Sequence, residues 1–459
     1  RQYYPKPGWV EHDLNDIWAS TLKAIKAILS GKKSLASRIA GIGITNQRET
    51  SCFWSKKTGK PLCKAIVWQD RRTAKLCDAL KSQGHEAAIQ SKTGLLLDPY
   101  FSASKVQWAL ENIPTVTEAA KDKICAFGTI DSYLVHKLTS GISHVTEPSN
   151  ASRTMLFNIQ AGSWDSELLN LFKVPSEILP DVLDSTSTFG MTKKVPGLPD
   201  GIPIHGILGD QQAALLGQAC LEEGTAKCTY GTGSFILLNT GNSIRRSSHR
   251  LLSTIAWRIN GKTTYALEGG AFTAGASVQW IRDGLKMIKK SADIEPLAKS
   301  VKSTDGVIFV PGFAGIGAPH WLPHARAAFF GITRGTTQGH LARDVIECIA
   351  LMNNDIIRPM ENDLGGKLKS LNVDGGAAAN NFLMQFQADV LGCNLIRPKM
   401  IETTALGAIF AAGLGVGLWS DLFEIKKSWK KDKTFATVMS ADVRAETVKN
   451  WNWAIQKLK

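Results

Sequence analysis

Arg48 and Glu49 place opposite charges side by side where two strand-like segments meet, in the run GITNQRETSCFW (43–54). The apolar run IAGIGI leads into this pair, and TSCFW resumes a strand pattern after it. A tight hairpin favours turn residues such as Asn-Gly at its tip, and an Arg-Glu pair does not fit that preference. The pair could instead offer one charged donor and one charged acceptor to a ligand that carries adjacent hydroxyl groups.

Asp210 stands where an apolar strand ends and a helix begins, in ILGDQQAALLG (207–217). One interpretation is a helix N-cap, since an Asp side chain there accepts from free backbone N–H groups. The other is a general base at the carboxyl end of a strand, where the ligand clefts of α/β proteins open. The residues alone leave both interpretations open.

Trp68 and Tyr100 follow strand or loop ends in IVWQDRR and LLLDPYF. Aromatic side chains most often serve packing. A small polyol, however, needs charged partners for its hydroxyls and an apolar surface for its carbon edge. Arg48, Glu49 and Asp210 with these two aromatic walls would supply both.

Two glycine-rich runs, TYGTGSF (229–235) and VDGGAAANN (373–381), follow predicted strands. Glycines let backbone N–H groups close on phosphate oxygens, and hydroxyls or a helix N-terminus add donors. The alternatives are a tight hairpin for the first run and close strand-to-helix packing for the second. The chain contains no G-x-x-x-x-G-K-[ST] motif, which excludes a P-loop enzyme.

The elements around these residues alternate between strand-rich and helix-rich blocks. Residues 13–31 predict an amphipathic helix with Asp13 as N-cap, Gly31 as its stop and one apolar face, formed by Ile17, Trp18, Leu22, Ile25, Ile28 and Leu29. Strands follow up to about residue 70, then helices. A second strand block begins near 202, with hairpin turns at Gly231-Thr232-Gly233 and Asn260-Gly261, and helices return after it. The order predicts two α/β halves.

Bulk composition points to a large globular chain. The 459 residues are 44% hydrophobic and 20% charged, enough for two domains with sizeable cores. The net charge is +14, but the one dense basic run, KKSWKKDK (426–433), has no nucleic-acid signature beside it, so we expect a solvated surface. The eight cysteines show no C-x-x-C spacing and indicate free thiols. The apolar run 404–419 is too short for a membrane span and predicts a close-packed internal helix.

Several of these runs together resemble the glycerol kinases, a branch of the FGGY carbohydrate kinases with the actin-like ATPase fold. The resemblance extends from YPKPGWVEHD (4–13) almost to the C-terminus. It is carried by GITNQRET, VWQDRRT, DPYFSASK, NASRTMLFNI, GDQQAALLGQ, YGTGSF, YALEGG, FTAGASVQW, DGGAAANNFLMQFQADVL and ETTALGA. It implies an α/β fold of two actin-like (ribonuclease H-like) domains with a cleft between them, residues 1–217 on the glycerol side and 218–459 on the nucleotide side.

The resemblance also implies a set of site residues. Glycerol would be held by Arg48, Glu49, Trp68, Tyr100, Asp210, Gln211 and Phe235. The ATP side of the cleft would be lined by Thr232, Gly275, Gln279, Gly376 and Asn380. Asp210 then becomes a base first and a cap second. The implied reaction transfers the γ-phosphoryl group of ATP to a terminal hydroxyl of glycerol with Mg²⁺, whose protein ligands stay unassigned.

The chain departs from the family at its start, because it begins after the D-x-G-T-[ST]-S element that grips ATP phosphates and helps to hold Mg²⁺. We therefore expect the chain to be either part of an active kinase or a product with impaired chemistry. Without the leading strands, the first sheet would expose a strand edge. The alternatives are a catalytically impaired binding protein of glycerol-kinase type and a kinase for another polyol or sugar. The resemblance further implies a homo-oligomer (dimer or tetramer) and a cytoplasmic location, with association to a mitochondrial surface as the variant.

Overall fold

The computed structural model describes residues 1–31, 33–271, 273–313, 315–320, 322 and 324–458. Phe272, in the run FTAGASVQW, therefore lies outside the described residues. Within the described residues, strands before residue 210 and strands after residue 225 form separate sheets. The alternation of strand and helix blocks that the sequence predicts is confirmed, with one α/β part on each side of this division.

The first part runs to the end of the helix that carries Asp210. Its strands are β1 (Gln2–Tyr3), β2 (Glu11–His12), β3 (Ile42–Asn46), β4 (Cys52–Ser55), β5 (Ala65–Ile66), β6 (Cys125–Gly128), β7 (Val145–Thr146), β8 (Phe157–Asn158), β9 (Ser163–Trp164), β10 (Asp181–Val182), β11 (Thr188–Met191) and β12 (Pro203–Gly209). Its helices are α1 (Leu14–Leu29), α2 (Lys33–Ala36), α3 (Ala74–Ser82), α4 (Glu86–Thr93), α5 (Ser102–Asn112), α6 (Pro114–Lys121), α7 (Ile130–Leu138), α8 (Pro148–Ala151), α9 (Ser166–Leu171) and α10 (Asp210–Gly217).

The second part is built on a larger sheet. Its strands are β13 (Ala226–Tyr230), β14 (Ser234–Asn239), β15 (Leu252–Ile259), β16 (Lys262–Ala271), β17 (Ile308–Val310), β18 (Ala328–Phe330), β19 (Ser370–Asp374), β20 (Asn394–Pro398) and β21 (Lys431–Phe435). Its helices are α11 (Gly275–Asp283), α12 (Ile294–Lys299), α13 (Gln338–Leu364), α14 (Asn381–Leu391), α15 (Thr403–Gly415), α16 (Leu422–Ser428) and α17 (Ala441–Gln456). Short 3-10 helices cover Ser152–Thr154, Ser176–Ile178, Ser291–Asp293 and Gly376–Ala379.

Helix α1 forms as its sequence predicts, with one error. The Asp13 side chain accepts from the Asn15 N–H at 2.8 Å, and Gly31 adopts a positive φ of 70° just past the helix end. The apolar residues of its first three turns pack on the core of the first part. Ile28, however, is 60% exposed. Its inclusion in the apolar face is wrong, because the last turn of α1 extends beyond the core that the earlier turns cover.

Two parallel strands bring the predicted glycerol-side residues together. Strand β12 pairs in parallel with β3 and antiparallel with β11, and the β12–β3 register sets Gly209 opposite Asn46. Parallel strands end at the same edge of a sheet. The residues that follow, Asp210 after β12 and Arg48 after β3, therefore leave the sheet side by side.

In the second part, two parallel strands likewise bring the two glycine-rich runs to one edge of a sheet. Its seven-stranded sheet has the order β15-β16-β14-β13-β19-β20-β21. The hairpins β13–β14 and β15–β16 turn at the predicted Gly-Thr-Gly and Asn-Gly positions, so both are confirmed. Strand β13 is parallel to β19, with Thr229 opposite Asp374. TYGTGSF and VDGGAAANN therefore emerge at one edge of the sheet.

Helix α15 joins the two parts, and the close packing predicted for 404–419 is confirmed. The predicted extent and interior position are wrong, because the helix ends at Gly415 and Ile409 on its outer face is 56% exposed. It belongs to the second part by sequence but packs on β3, β12 and α10 of the first. A Cβ added at Gly43 or Gly206 would overlap the backbone of α15, and one at Gly407 would overlap the carbonyl of Ala213 in α10. Glycines at these contacts allow the backbones to touch. No helix of the described residues is long and apolar enough to cross a membrane.

The contact at Gly407 gives a first test. Gly407→Ala forces a methyl group against the Ala213 carbonyl, so we expect the free energy of unfolding to fall by about 1–3 kcal/mol. Urea denaturation followed by tryptophan fluorescence measures this loss. Gly366→Ala is the control, because a Cβ there meets nothing within 4 Å. Equal stabilities of the two variants would contradict the backbone contact.

Candidate active site

Arg48 is the centre of a buried charge cluster at the shared strand edge. It is 3% exposed, and its Nε lies 3.1 Å from Oδ1 of Asp210, so the structure brings these two predicted residues together. Its Nη1 and Nη2 donate to the two carboxylate oxygens of Glu268 at 2.5 and 2.9 Å. Such a two-point contact is the strongest geometry for an arginine and a carboxylate. Glu268 lies on β16, so this bond connects the two parts of the chain.

Glu49 is held by a second arginine and not mainly by its neighbour in sequence. Arg153 donates from Nε to Glu49 Oε1 at 2.6 Å and from Nη2 to Glu268 Oε1 at 3.1 Å, whereas Arg48 Nε lies 3.9 Å from Glu49. Glu49 also has a φ of +60°, an uncommon backbone conformation for a residue with a side chain. Two arginines and two glutamates thus alternate in one buried cluster without net charge.

The pKa directions show how this cluster holds its charges. Burial opposes the ionised form of Glu268, but Arg153 and Arg48 outweigh burial and lower its pKa to about 2. For Glu49, burial is the larger effect and raises the pKa despite the same two arginines. Burial also opposes the charge on Arg48, yet the carboxylates of Glu268, Glu49 and Asp210 raise its pKa. Glu268 is therefore a fixed anion on which both arginines depend.

Removing this anion should be costly. Glu268→Ala leaves Arg48 and Arg153 buried without their shared partner, and we expect a loss of about 3–5 kcal/mol in the free energy of unfolding. Urea denaturation measures the loss. The control is Glu223→Ala, which removes an exposed pair with Arg245 and should cost about 1 kcal/mol or less. An equally small loss in the free energy of unfolding for Glu268→Ala would refute the view that the cluster stabilises the fold.

Trp68 and Tyr100 form an aromatic corner beside the cluster. Their rings meet edge to face with centroids 5.4 Å apart, and the Arg153 guanidinium lies 5.6 Å from the Tyr100 ring centre. Burial raises the pKa of Tyr100, so its phenol stays protonated. The Lys105 ammonium stabilises this corner by donating to the carbonyls of Tyr100 and Phe101 at 2.7 and 3.1 Å. Burial lowers the pKa of Lys105 to about 8.

Gln211 and Phe235 complete the predicted glycerol side from α10 and β14. Gln211 follows Asp210, and its Oε1 accepts from the ammonium of Lys227 on β13. Phe235 pairs with Gly270, and Leu237 pairs with Glu268. Because residues two apart on a strand face the same side, Phe235 shares a sheet face with Glu268. The structure thus places residues of both parts around one edge.

Asp210 is the first residue of α10 and not the N-cap residue before it. Gly209 is the N-cap residue, and Asp210 Oδ1 accepts only from the adjacent Gln211 N–H at 2.7 Å within the start of this helix. The N-cap interpretation is therefore wrong in position. The Asp210 side chain is 33% exposed, whereas those of Arg48 and Glu268 are 2% exposed. Asp210 is therefore more exposed than the carboxylates of Glu49 and Glu268.

On the predicted nucleotide side, Thr232 and Gly275 are in contact. The Thr232 carbonyl accepts from Ala274 and Ala276 N–H groups at 2.8 and 3.0 Å, and Gly275 N–H donates to Gly231 O at 3.0 Å. A Cβ at Gly275 would lie 2.6 Å from Gly231 O, so only glycine permits this approach of α11 to the hairpin tip. Gln279 lies one turn further along α11 and is exposed.

Gly376 and Asn380 follow β19 beside the same hairpin. Gly375, with a φ of +84°, packs so closely on the Tyr230 backbone that a Cβ there would overlap it. Gly376 is exposed at the start of the short helix that follows. Asn380 Oδ1 accepts from Leu383 N–H at 2.9 Å and caps α14. The two glycine-rich runs are therefore adjacent. Asn380, which is predicted to line the ATP site, also caps a helix.

The sequence reasoning missed four buried charged residues around this site: Lys105, Arg153, Lys227 and Glu268. Lys105, Arg153 and Glu268 were present in runs that drew attention for another reason, such as YALEGG for Glu268, and Lys227 lies two residues before TYGTGSF. Charged side chains are almost never fully buried unless they are paired. For Lys227 and Glu268, a single charge inside a strand pattern was the available signal, whereas Lys105 and Arg153 lie on helices and gave no such signal. Within the described residues, no group of three or more His, Cys, Asp or Glu side chains converges as a metal site.

Two family models match the chain. The family model described as the FGGY family of carbohydrate kinases, N-terminal domain, matches residues 1–217. The model of the C-terminal domain of that family matches residues 226–416. Together the two models account for most of the chain.

Relatives with the name glycerol kinase match over the whole chain. The protein of Bdellovibrio bacteriovorus is 55% identical over 459 residues, which are 100% of this chain and 93% of that protein. The protein of Deinococcus radiodurans is 51% identical over 460 residues, covering 100% of this chain and 91% of its own length.

Solved structures give the same result. The crystal structure of Plasmodium falciparum glycerol kinase with ADP superposes with a TM-score of 0.93 at 37% identity, covering 100% of this chain and 92% of that chain. A ligand-bound xylulose kinase from Lactobacillus acidophilus superposes with a TM-score of 0.86 at 23% identity, over 99% and 91% of the two chains, and supports the fold alone.

Proposed function

The chain belongs to the FGGY family of carbohydrate kinases, and we propose that it transfers the γ-phosphoryl group of ATP to a terminal hydroxyl of glycerol. The family and the fold predicted from the sequence are thereby confirmed, as is a phosphotransferase. The observation that carries the choice of glycerol is the buried cluster of Arg48 and Glu49 with the partly exposed Asp210 beside it. Relatives at 50–55% identity that bear the name glycerol kinase support it.

Asp210 is the proposed general base. Its Oδ1 is held by Arg48 Nε and by the Gln211 N–H, which fix the orientation of the carboxylate. The carboxylate would take the proton of the attacking hydroxyl as the new O–P bond forms. A positioned base of this kind contributes about 10²–10⁴-fold in rate.

The remaining glycerol-side residues would bind and orient the polyol. Arg48 would donate to one hydroxyl and Glu49 would accept from its neighbour, which suits two adjacent hydroxyl groups. The corner of Trp68 and Tyr100, with Phe235 opposite, would cover the carbon edge. Glycerol has three hydroxyls on three carbons, so aromatic walls on both sides of its carbon edge would select against longer polyols by size.

On the nucleotide side, we propose that ATP lies against Thr232, Gly275, Gln279, Gly376 and Asn380. The backbone of the two adjacent glycine-rich runs would face the phosphates. Mg²⁺ is usually held by one or two carboxylates together with phosphates and water, and its protein ligands stay unassigned. Bound with the phosphates of ATP, the ion would neutralise charge on the transferring group. Apposition of the two parts would exclude water, which otherwise competes as the acceptor.

Three features stay predictions from the family resemblance: the division into a glycerol-side domain (1–217) and a nucleotide-side domain (218–459), a homo-oligomeric assembly and a cytoplasmic location. Phe235 and Glu268 come from the second part yet lie at the glycerol side, so the site needs both parts.

Replacing the base tests the proposed chemistry. Asp210→Asn keeps the shape of the side chain but cannot accept the proton, so we expect turnover to fall about 10²–10⁴-fold. Glycerol affinity, measured by calorimetry, should stay within a few fold. Asp305→Asn, in an exposed loop of the second part, is the control and should match the wild type. Near-normal turnover in Asp210→Asn would remove the base assignment.

Replacing an aromatic wall tests the choice of glycerol. Trp68→Ala opens the corner beside Tyr100, so the ratio of kcat/KM for glycerol to that for four- and five-carbon polyols should fall about tenfold. A coupled assay of ADP formation with a panel of polyols measures this ratio. The control is Trp453→Ala on α17, where the side chain is 47% exposed. An unchanged ratio would make Trp68 a packing residue, and a better wild-type acceptor than glycerol would reassign the substrate.

A further inference from the structure

Lys227 is a buried cation to which the proposed reaction assigns no role. It lies on β13 in the interior of the seven-stranded sheet and is 0% exposed. Its ammonium donates to Gln211 Oε1, to Thr229 Oγ1 at 2.8 Å and to the Phe235 carbonyl at 3.5 Å. An ammonium group has three donors and no acceptor. The three protein oxygens therefore match its hydrogen-bonding capacity.

The sheet register places this lysine beside the active site. Lys227 pairs with Leu237, and Leu237 pairs with Glu268, so the three residues form one row across β13, β14 and β16. Paired residues project to the same face of a sheet. Lys227 thus faces the same side as Glu268, and it supports Gln211 at the start of α10, directly after Asp210. Burial lowers the pKa of Lys227, while Asp374, Asp210 and Glu268 oppose that effect.

The chemistry of the contact decides which end of the Gln211 amide faces Lys227. The ammonium can only donate, so the amide end beside it must be the carbonyl oxygen. The amide NH₂ then points away from Lys227. Without the lysine, the two ends of the amide would be nearly equivalent in shape and the group could turn over.

We propose that Lys227 is a positioning residue that holds the Gln211 amide with its Nε2 donor toward the substrate, so that this position of the site accepts only a substrate atom with a free lone pair. The inference rests on the proposed function, in which Gln211 binds glycerol. A hydroxyl oxygen meets this requirement, and a protonated amine in the same place does not. Lys227 acts through Gln211 and does not itself touch the reacting atoms.

The competing role for a buried lysine is direct binding of the transferred phosphoryl group. In that case its removal would lower kcat for every acceptor and leave the order of acceptors unchanged. In the positioning role, removal acts mainly on acceptor affinity and changes acceptor preference. The two roles therefore differ in which kinetic constant they move.

The experiment compares wild type, Lys227→Met and Gln211→Glu, with glycerol and 3-amino-1,2-propanediol as ligands at pH 7. Gln211→Glu keeps the bond to Lys227 but replaces the NH₂ by an oxygen that can only accept. We expect both variants to weaken glycerol binding about tenfold, the value of one hydrogen bond, with kcat within about threefold. Gln211→Glu should also favour the aminodiol over glycerol relative to wild type.

Each outcome bears on the inference. Glycerol KM unchanged with a collapsed kcat in Lys227→Met would overturn it in favour of phosphoryl binding. Unchanged glycerol affinity and ligand preference in Gln211→Glu would overturn it even if Lys227→Met fails to fold. Gln456→Glu, exposed on α17, is the control for the amide-to-carboxylate change. Wild type that binds glycerol in calorimetry but forms no ADP would contradict the proposed reaction and leave the positioning role standing.

Discussion

The carboxylate of Glu268 is the interaction on which the rest of the site depends. It comes from β16 of the second part and binds two arginines of the first, Arg48 by both guanidinium ends and Arg153 by one. A buried arginine without a partner is among the most costly defects a protein can contain. The position of Arg48, and through it that of Asp210, is therefore set by a residue of the second part of the chain.

Much of the fold follows from local sequence patterns. Asp13, Gly31 and an apolar repeat specify α1, and the turns at Gly231-Thr232-Gly233 and Asn260-Gly261 specify two hairpins. Asp210 and Arg48 were grouped from the sequence by the chemistry of polyol recognition, and the parallel pairing of β3 with β12 explains why they lie together. The error at Ile28 has a simple origin: the repeat that forms a helix does not state where the core stops.

The sequence predicted Arg48, Glu49 and Asp210 but not their partners Glu268 and Arg153, for a related reason. Glu268 lies 220 positions from Arg48 and 115 from Arg153, and neither separation leaves a local pattern. Strand register decides these pairings, and register is a property of the assembled sheet. The predicted ATP-side residues illustrate the opposite case. Thr232 and Gly275 belong to recognisable runs, and the family resemblance was needed only to bring them together.

The charge cluster also determines how the chain can be divided. The family models meet between residues 217 and 226, which suggests a natural place to separate two halves for expression or for exchange between relatives. A first half prepared alone would keep Arg48 and Arg153 beside Glu49 and Asp210 but without Glu268, and the second half would present Glu268 without either of the two arginines that it binds. Each half thus carries the other's counter-ion. Recombination of such halves would restore the two-point bond between Arg48 and Glu268, which makes this chain a natural basis for a split reporter whose assembly depends on that bond.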